Sequence, residues 1–234
     1  MPFPQHSSIS TQPAVKIESV LRKQTNWKRL WFYQKTVVLY QLTYVFTRRF
    51  LPAYGDRTVD QMVQAARSGK QNIVEGSADG VTSMEMELKL LNVARSSIQE
   101  LREDFSDYLR RHNLPVWDSH HRRSADLRQF CHDHNDYADF EPMAERLCDE
   151  ELANLCLTRC HQIDYLMVPY LEKLEKSFVT EGGIKERMHA ARTGYRQGQD
   201  EEMQALRDQV AALEKENRQL REQLAEKPEN PKNS

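Results

Sequence analysis

The sequence predicts an all-α fold: an antiparallel, up-down four-helix bundle followed by a coiled-coil helix. Three observations predict it. Gly and Pro are scarce, 8 and 9 in 234 residues, which leaves few of the turns a β-rich fold needs. Long stretches place apolar residues at steps of three and four. The C-terminal stretch narrows that pattern to an unbroken heptad seam.

The expected order begins with a flexible segment over 1–26, polar and nearly without periodicity. A first helix spans about 28–50, free of Gly and Pro until Pro52. Its apolar residues (Val37, Val38, Leu39, Tyr40, Leu42, Tyr44, Val45, Phe46) cover most of the circumference. A helix apolar nearly all round needs burial nearly all round, so part of it is expected to meet another subunit. Pro52–Arg57, with Gly55-Asp56, reads as a turn. Thr58-x-x-Gln61 then reads as a capping box for a second helix over 59–76, with Gly76 as its C-cap. The small run Ala65-Ala66-Arg67-Ser68-Gly69 invites close approach of a neighbouring helix, which offsets the propensity cost of Gly69, about 1 kcal/mol.

Thr82-x-x-Glu85 offers another capping box before a third helix over 83–113. There Met84, Leu88, Leu91, Ala94, Ile98, Leu101, Phe105 and Tyr108 form one apolar stripe, and Pro115 follows its end. Residues 114–144, rich in His, Asp and Arg, read as an irregular insertion with a short helix near Ser124–Cys131. A fourth helix over 150–178 keeps Leu152, Leu155, Ile163, Leu166, Met167, Tyr170, Leu174 and Phe178 in register; Pro169 within it should kink it or break one hydrogen bond. Gly182-Gly183 ends the bundle, 179–197 reads as a linker, 198–226 as the coiled coil and 227–234 as a disordered tail.

In the coil, Leu206, Leu213 and Leu220 fall at d, and Met203, Val210, Asn217 and Leu224 at a. Leu at d, Val at a and one Asn at a favour two parallel strands, the Asn fixing register at some cost in stability. Glu202–Arg207 and Glu216–Arg221 are complementary flanking pairs between such strands. A solitary amphipathic tail helix is the alternative.

Charge is 29% of the residues and nets −2, yet it is unevenly spread. Residues 1–113 carry 16 Lys+Arg against 11 Asp+Glu, and 114–234 carry 17 against 24. This leaves +5 and −7, either solvated faces of different sign or an anion-binding N-terminal half. A nucleic-acid surface would draw on Arg22, Lys23, Lys28, Arg29, Arg48, Arg49, Arg57, Arg67 and Lys70, with Trp27, Trp31, Phe32 and Tyr33 interleaved for stacking if their rings are exposed.

Chemistry of other kinds finds little support. Cys156-x-x-x-Cys160-His161 and Cys131-His132-Asp133-His134, near His120 and His121, contain metal-capable groups without a regular ligand spacing, so no metal or cofactor is expected. Glu100, Glu103, Asp104 and Asp107 lack the Glu-x-x-His pairing of bundle di-iron sites. There is no Gly-rich phosphate loop or nucleophile motif, so the chain is not expected to be an enzyme. Four cysteines without a disulfide framework, no signal peptide and no long apolar run point to a cytoplasmic protein away from the membrane.

Gln61-Met62-Val63-Gln64-Ala65-Ala66-Arg67-Ser68, Asn72-Ile73-Val74-Glu75-Gly76, Glu87-Leu88, Ala94-Arg95-Ser96-Ser97 and Glu100-Leu101 recur in the order of a known pattern. Over roughly 30–113 the chain resembles the bacterial four helix bundle protein family. That group includes proteins encoded in ribosomal RNA intervening sequences and accessory proteins of diversity-generating retroelements. Ala153-Asn154, His161-Gln162-x-x-Tyr165-Leu166, Glu181-Gly182-Gly183 and Arg187 resemble its subgroup with a four helix bundle suffix domain. The resemblance implies a homopentameric, barrel-like assembly with a basic surface, and for the retroelement relatives a reverse transcriptase and nucleic acid as partners. It offers no catalytic residues.

The zipper departs from the family pattern. Two-stranded tails cannot all pair within a closed ring of five. Either they join between rings, or bind another partner, or this chain forms no pentamer. Two functions therefore stand: a homo-oligomeric adaptor binding nucleic acid, accessory to a mobile-element reverse transcriptase, or a structural module that recruits a protein partner through its zipper.

Overall fold

The computed structural model describes residues 20–52 and 57–225. The flexible N-terminal segment up to residue 19, the Gly55-Asp56 turn and the tail from residue 226 lie outside the described residues, as does the side chain of Leu224. The described residues hold seven α-helices and no strand: α1 (Trp31–Phe50), α2 (Arg57–Asp79), α3 (Met84–Arg111), α4 (Ser124–Asp133), α5 (Glu141–Ala144), α6 (Asp149–Glu181) and α7 (Ile184–Ala225). Short 3-10 turns at Trp27–Arg29 and Tyr137–Asp139 complete the set. Among these residues no helix is long and apolar enough to cross a membrane. The chain divides into two compact units, Leu21–Ile184 and a second that contains α7 from Lys185.

Within the first unit α1 packs on α2 and α6, α2 on α3, and α3 on α6, so the four long helices touch in a closed cycle. Paired residues run in opposite order along α2 and α3, and along α3 and α6. Gly69 meets Ile98 while Gly76 meets Leu90; Tyr108 meets Asp149, Arg95 meets Asp164 and Glu87 meets Tyr170. The expected stripe of α3 is the spine of the core: Met84, Leu91, Ala94, Ile98, Leu101, Phe105 and Tyr108 are all buried. Phe46 of α1 lies edge-on to Phe105 and Tyr108, with centroids 5.1 and 4.8 Å away. Such edge contacts add about 0.5–1.5 kcal/mol beyond area burial.

The small face of α2 works as its composition implies. Ala65, Ala66, Gly69 and Gly76 are buried, and the Ser68 and Ser97 hydroxyls meet at 3.0 Å across the α2–α3 contact. A Cβ on Gly69 would stand 2.6 Å from Ile98 Cδ1, so the missing side chain sets the helix separation.

Several boundaries fall elsewhere than expected, for local reasons. Gly76 lies inside α2, where its lack of a side chain serves packing rather than capping. Helix α2 is already under way at Arg57, which puts Thr58 in its first turn. The cap of α3 is Ser83, whose hydroxyl accepts the Met86 N–H at 3.1 Å, one residue later than Thr82. The α3 C-terminus is a Schellman closure: Asn113 adopts φ 54°, its N–H reaches Arg110 O, and the Leu114 N–H reaches Leu109 O at 2.8 Å. Asn tolerates this left-handed backbone better than most residues. Gly182 ends α6 at φ 73°, ψ 180°, a conformation open essentially to glycine alone. After it only Gly183 separates α6 from α7, so most of the expected 179–197 linker is helical.

The first helix hides more of its apolar surface than its sequence suggests. Val38, Leu39, Leu42, Val45 and Phe46 are buried within the single chain, and only Trp31 and Tyr44 are left more than half exposed. Thr36 and Thr43 return their hydroxyls to Phe32 O and Leu39 O, at 2.6 and 2.8 Å, and so can be buried too. The need for a second subunit on α1 shrinks accordingly.

The 114–144 segment is less irregular than its composition implies. Asn154 of α6 pins its start, donating to Pro115 O and accepting the Trp117 N–H at 2.7 Å. Helix α4 is held from below by two buried cations. Lys35 Nζ donates to Cys131 O (2.7 Å) and His132 O (3.4 Å), and Arg159 donates to Cys131 O (2.7 Å) and His134 O (3.0 Å). Cations belong at a helix C-terminus, where carbonyls lack amide partners and the dipole is negative. Arg159 is fully buried, with Phe140 under its guanidinium. Burial pulls Lys35 down to about 8 and Arg159 down to about 10.

Candidate functional site

The heptad seam is the most exposed apolar feature with a defined geometry. On α7, Met203, Leu206, Val210, Leu213 and Leu220 each remain about half exposed. Asn217 is exposed as well, and its amide turns back to Leu213 O at 3.3 Å. Leu224 continues the register, on backbone that is still helical. Over the described seam, apolar side chains thus recur at a and d and stay about half exposed. A lone helix with such a stripe leaves surface that burial against a partner would stabilise by about 25 cal/mol per Å².

The basic candidates behave differently from one another. Arg22 is ion-paired at 2.9 Å to Glu87, a carboxylate only 2% exposed that also accepts from Tyr170. Burial pushes Glu87 above its ordinary range, against the pull of Arg22. Arg48 pairs with Glu145, and Arg49 donates to Ala144 O while lying over Phe50, so both tie α1 to the α5 region. Lys70 sits 4.3 Å above the Tyr40 ring. These four are engaged in holding the fold. Lys23, Lys28, Arg29, Arg57 and Arg67 are exposed, with Lys28 and Arg29 three and two residues before the exposed ring of Trp31. Trp27, Phe32 and Tyr33 are partly or wholly covered.

The histidines and thiols find structural places. His112 and His134 each stack on the aromatic ring four residues before, Tyr108 and Phe130, with Nδ1 at 2.8 and 3.0 Å from that residue's carbonyl. His121 stacks likewise on Trp117. An aromatic-x-x-x-His spacing was the sequence signal for these stacks. Cys131, Cys156 and Cys160 are buried, and burial pushes Cys131 up to about 11 and raises Cys156 and Cys160 as well. Among the described residues no three His, Cys, Asp or Glu side chains converge as metal ligands would.

One feature had no sequence signal. A cleft of about 990 Å³ opens between α4, α6 and the 117–119 turn, with Lys35 reaching it from α1. Its wall carries Arg128, His132 and His161 beside Tyr165, Leu166 and Pro169. Burial, together with the nearby Arg102 charge, holds His161 below its ordinary value. These residues are scattered over four elements, so no local motif could announce them. Comparisons with protein-family models, with curated proteins and with solved structures found no match.

Proposed function

We propose that this chain is a non-enzymatic assembly module: an up-down four-helix bundle carrying a helix that pairs with a second copy of itself. The observation that carries the reading is the uncovered seam from Met203 to Leu220. The cyclic packing of α1, α2, α3 and α6, with opposed residue order between α2 and α3 and between α3 and α6, supports the bundle. A second copy is favoured over a foreign helix because the seam contains its own register device. Asn217 at a is best satisfied by its twin, and Glu202 and Glu216 at g face Arg207 and Arg221 at e of a parallel partner. The family resemblance would add a ring of bundles, with the tails then joining between rings.

A crosslinking experiment tests parallel, in-register pairing. In a Cys148→Ser background, which removes the one exposed thiol, Asn217→Cys should give a covalent dimer on mild oxidation. Asp208→Cys, on the outer face of the coil, should not. Equal crosslinking at both positions, or none at 217, would count against the pairing.

A second reading, nucleic-acid binding beside a mobile-element reverse transcriptase, is favoured by one observation: Lys28 and Arg29 are exposed, three and two residues before the exposed ring of Trp31. Cations beside an exposed ring suit a single strand. Replacing Lys23, Lys28 and Arg29 by Gln should weaken retention of single-stranded RNA and flatten its salt dependence. Retention that ignores both salt and these substitutions would remove this reading.

A further inference from the structure

We propose that the α4–α6 cleft binds a small organic anion, a carboxylate on a flat apolar body that also carries an N–H donor. The volume of about 990 Å³ lies in the range of small-molecule sites. The anion is called for by charge that the protein leaves uncompensated. Lys35 is 3% exposed and has no ion-pair partner among the described residues; its hydrogen bonds there go to two main-chain carbonyls, which leaves one of its three N–H bonds to give. Arg128 uses one guanidinium nitrogen on Ser124 and is otherwise open toward the cleft. The carboxylates on the same wall are already committed. Asp164 accepts from Arg95 at 2.6 Å, and Asp118 accepts the His120 and His121 N–H groups at 2.8 and 3.0 Å.

The flat body follows from the opposite side of the cleft. Tyr165 is 79% exposed and lines the cleft with Leu166 and Pro169. A ring laid on this surface would cover it.

The donor follows from an acceptor without a partner. Gln162 gives its amide N–H to Arg128 O, but its Oε1 is buried and accepts nothing among the described residues. A buried acceptor without a partner costs about 1–3 kcal/mol, and a ligand N–H would recover part of that.

Indole-3-carboxylate presents all three features and serves as the probe, followed by calorimetry on the full chain. Saturable one-to-one binding is expected. Arg128→Gln should weaken it about tenfold, the size of one lost charge-assisted hydrogen bond. Tyr165→Ala should weaken it by a similar factor, and indole without the carboxylate should bind at least as poorly. Both substituted side chains are exposed, and an unchanged circular-dichroism melt confirms that the variants are folded. Inorganic phosphate competing as well as the probe would show that charge alone is read, and would overturn the requirement for an apolar body. No saturable binding, or binding indifferent to both substitutions, would overturn the proposal.

Discussion

Lys35 makes its protonation state a lever on stability. Its ordinary value is 10.5, and in the fold burial, followed by the Arg159 charge, lowers it to about 8. Between these values the unfolded chain holds a proton that the folded chain has released, so folding is favoured as pH rises. The cost of burying the ammonium is present in full below pH 8 and is relieved toward 10.5. The buried thiols have the opposite sign, because they stay protonated when folded while an exposed thiol ionises near 9. Comparison with Lys35→Met isolates the lysine: the stability of the natural chain relative to that variant should climb from pH 8 to 10.5 in denaturant titrations. A flat difference would mean that Lys35 titrates normally. Two glycines make the packing argument equally direct. Gly69→Ala gains about 1 kcal/mol of helix propensity but forces a Cβ against Ile98 Cδ1 at 2.6 Å, and overpacking of about 1–3 kcal/mol should leave a net loss. Gly194→Ala on α7 meets nothing within 4 Å, and should raise the thermal stability of that helix by up to about 1 kcal/mol.

At the scale of elements, what the sequence made legible was whatever is periodic. The stripes of α3 and α6 and the seam of α7 are repeats along one helix, and each buried or displayed the face that its spacing implied. The helix ends were less legible, because capping is decided by one dihedral or one hydroxyl: Ser83 rather than Thr82, and Asn113 rather than a glycine. Residues 114–144 were opaque for a different reason. Their order comes from partners far away in sequence, with Lys35 and Arg159 on the carbonyls of α4, and Asn154 on Pro115 and Trp117. Neither a lysine in an apolar helix nor an arginine beside two cysteines looks like an anchor until the fold brings it there. For the same reason a charge count does not see that Arg22, Arg48 and Arg49 have partners within the chain. This anchoring is testable. Arg159→Met leaves Cys131 O and His134 O each short of one donor, and should cost about 1–3 kcal/mol, the cost of a buried acceptor left unsatisfied. Protection from hydrogen exchange should be lost first in α4.

In the molecule as a whole, the first unit covers most of its described apolar residues, with Tyr165, Val179, Trp31 and Tyr44 the most exposed, whereas the seam of α7 stays about half exposed. On the proposed reading, self-association belongs to α7. Sedimentation equilibrium on the full chain, beside a Leu206→Lys, Leu213→Lys double variant, tests this most directly. The account predicts a mass well above the 27.5 kDa of one chain at micromolar concentration, and a clear fall in that mass, with the bundle still folded, when the two leucines are charged. A natural chain that sediments as a folded 27.5 kDa species at the highest concentrations reached, or an assembly unaffected by the two lysines, would contradict it.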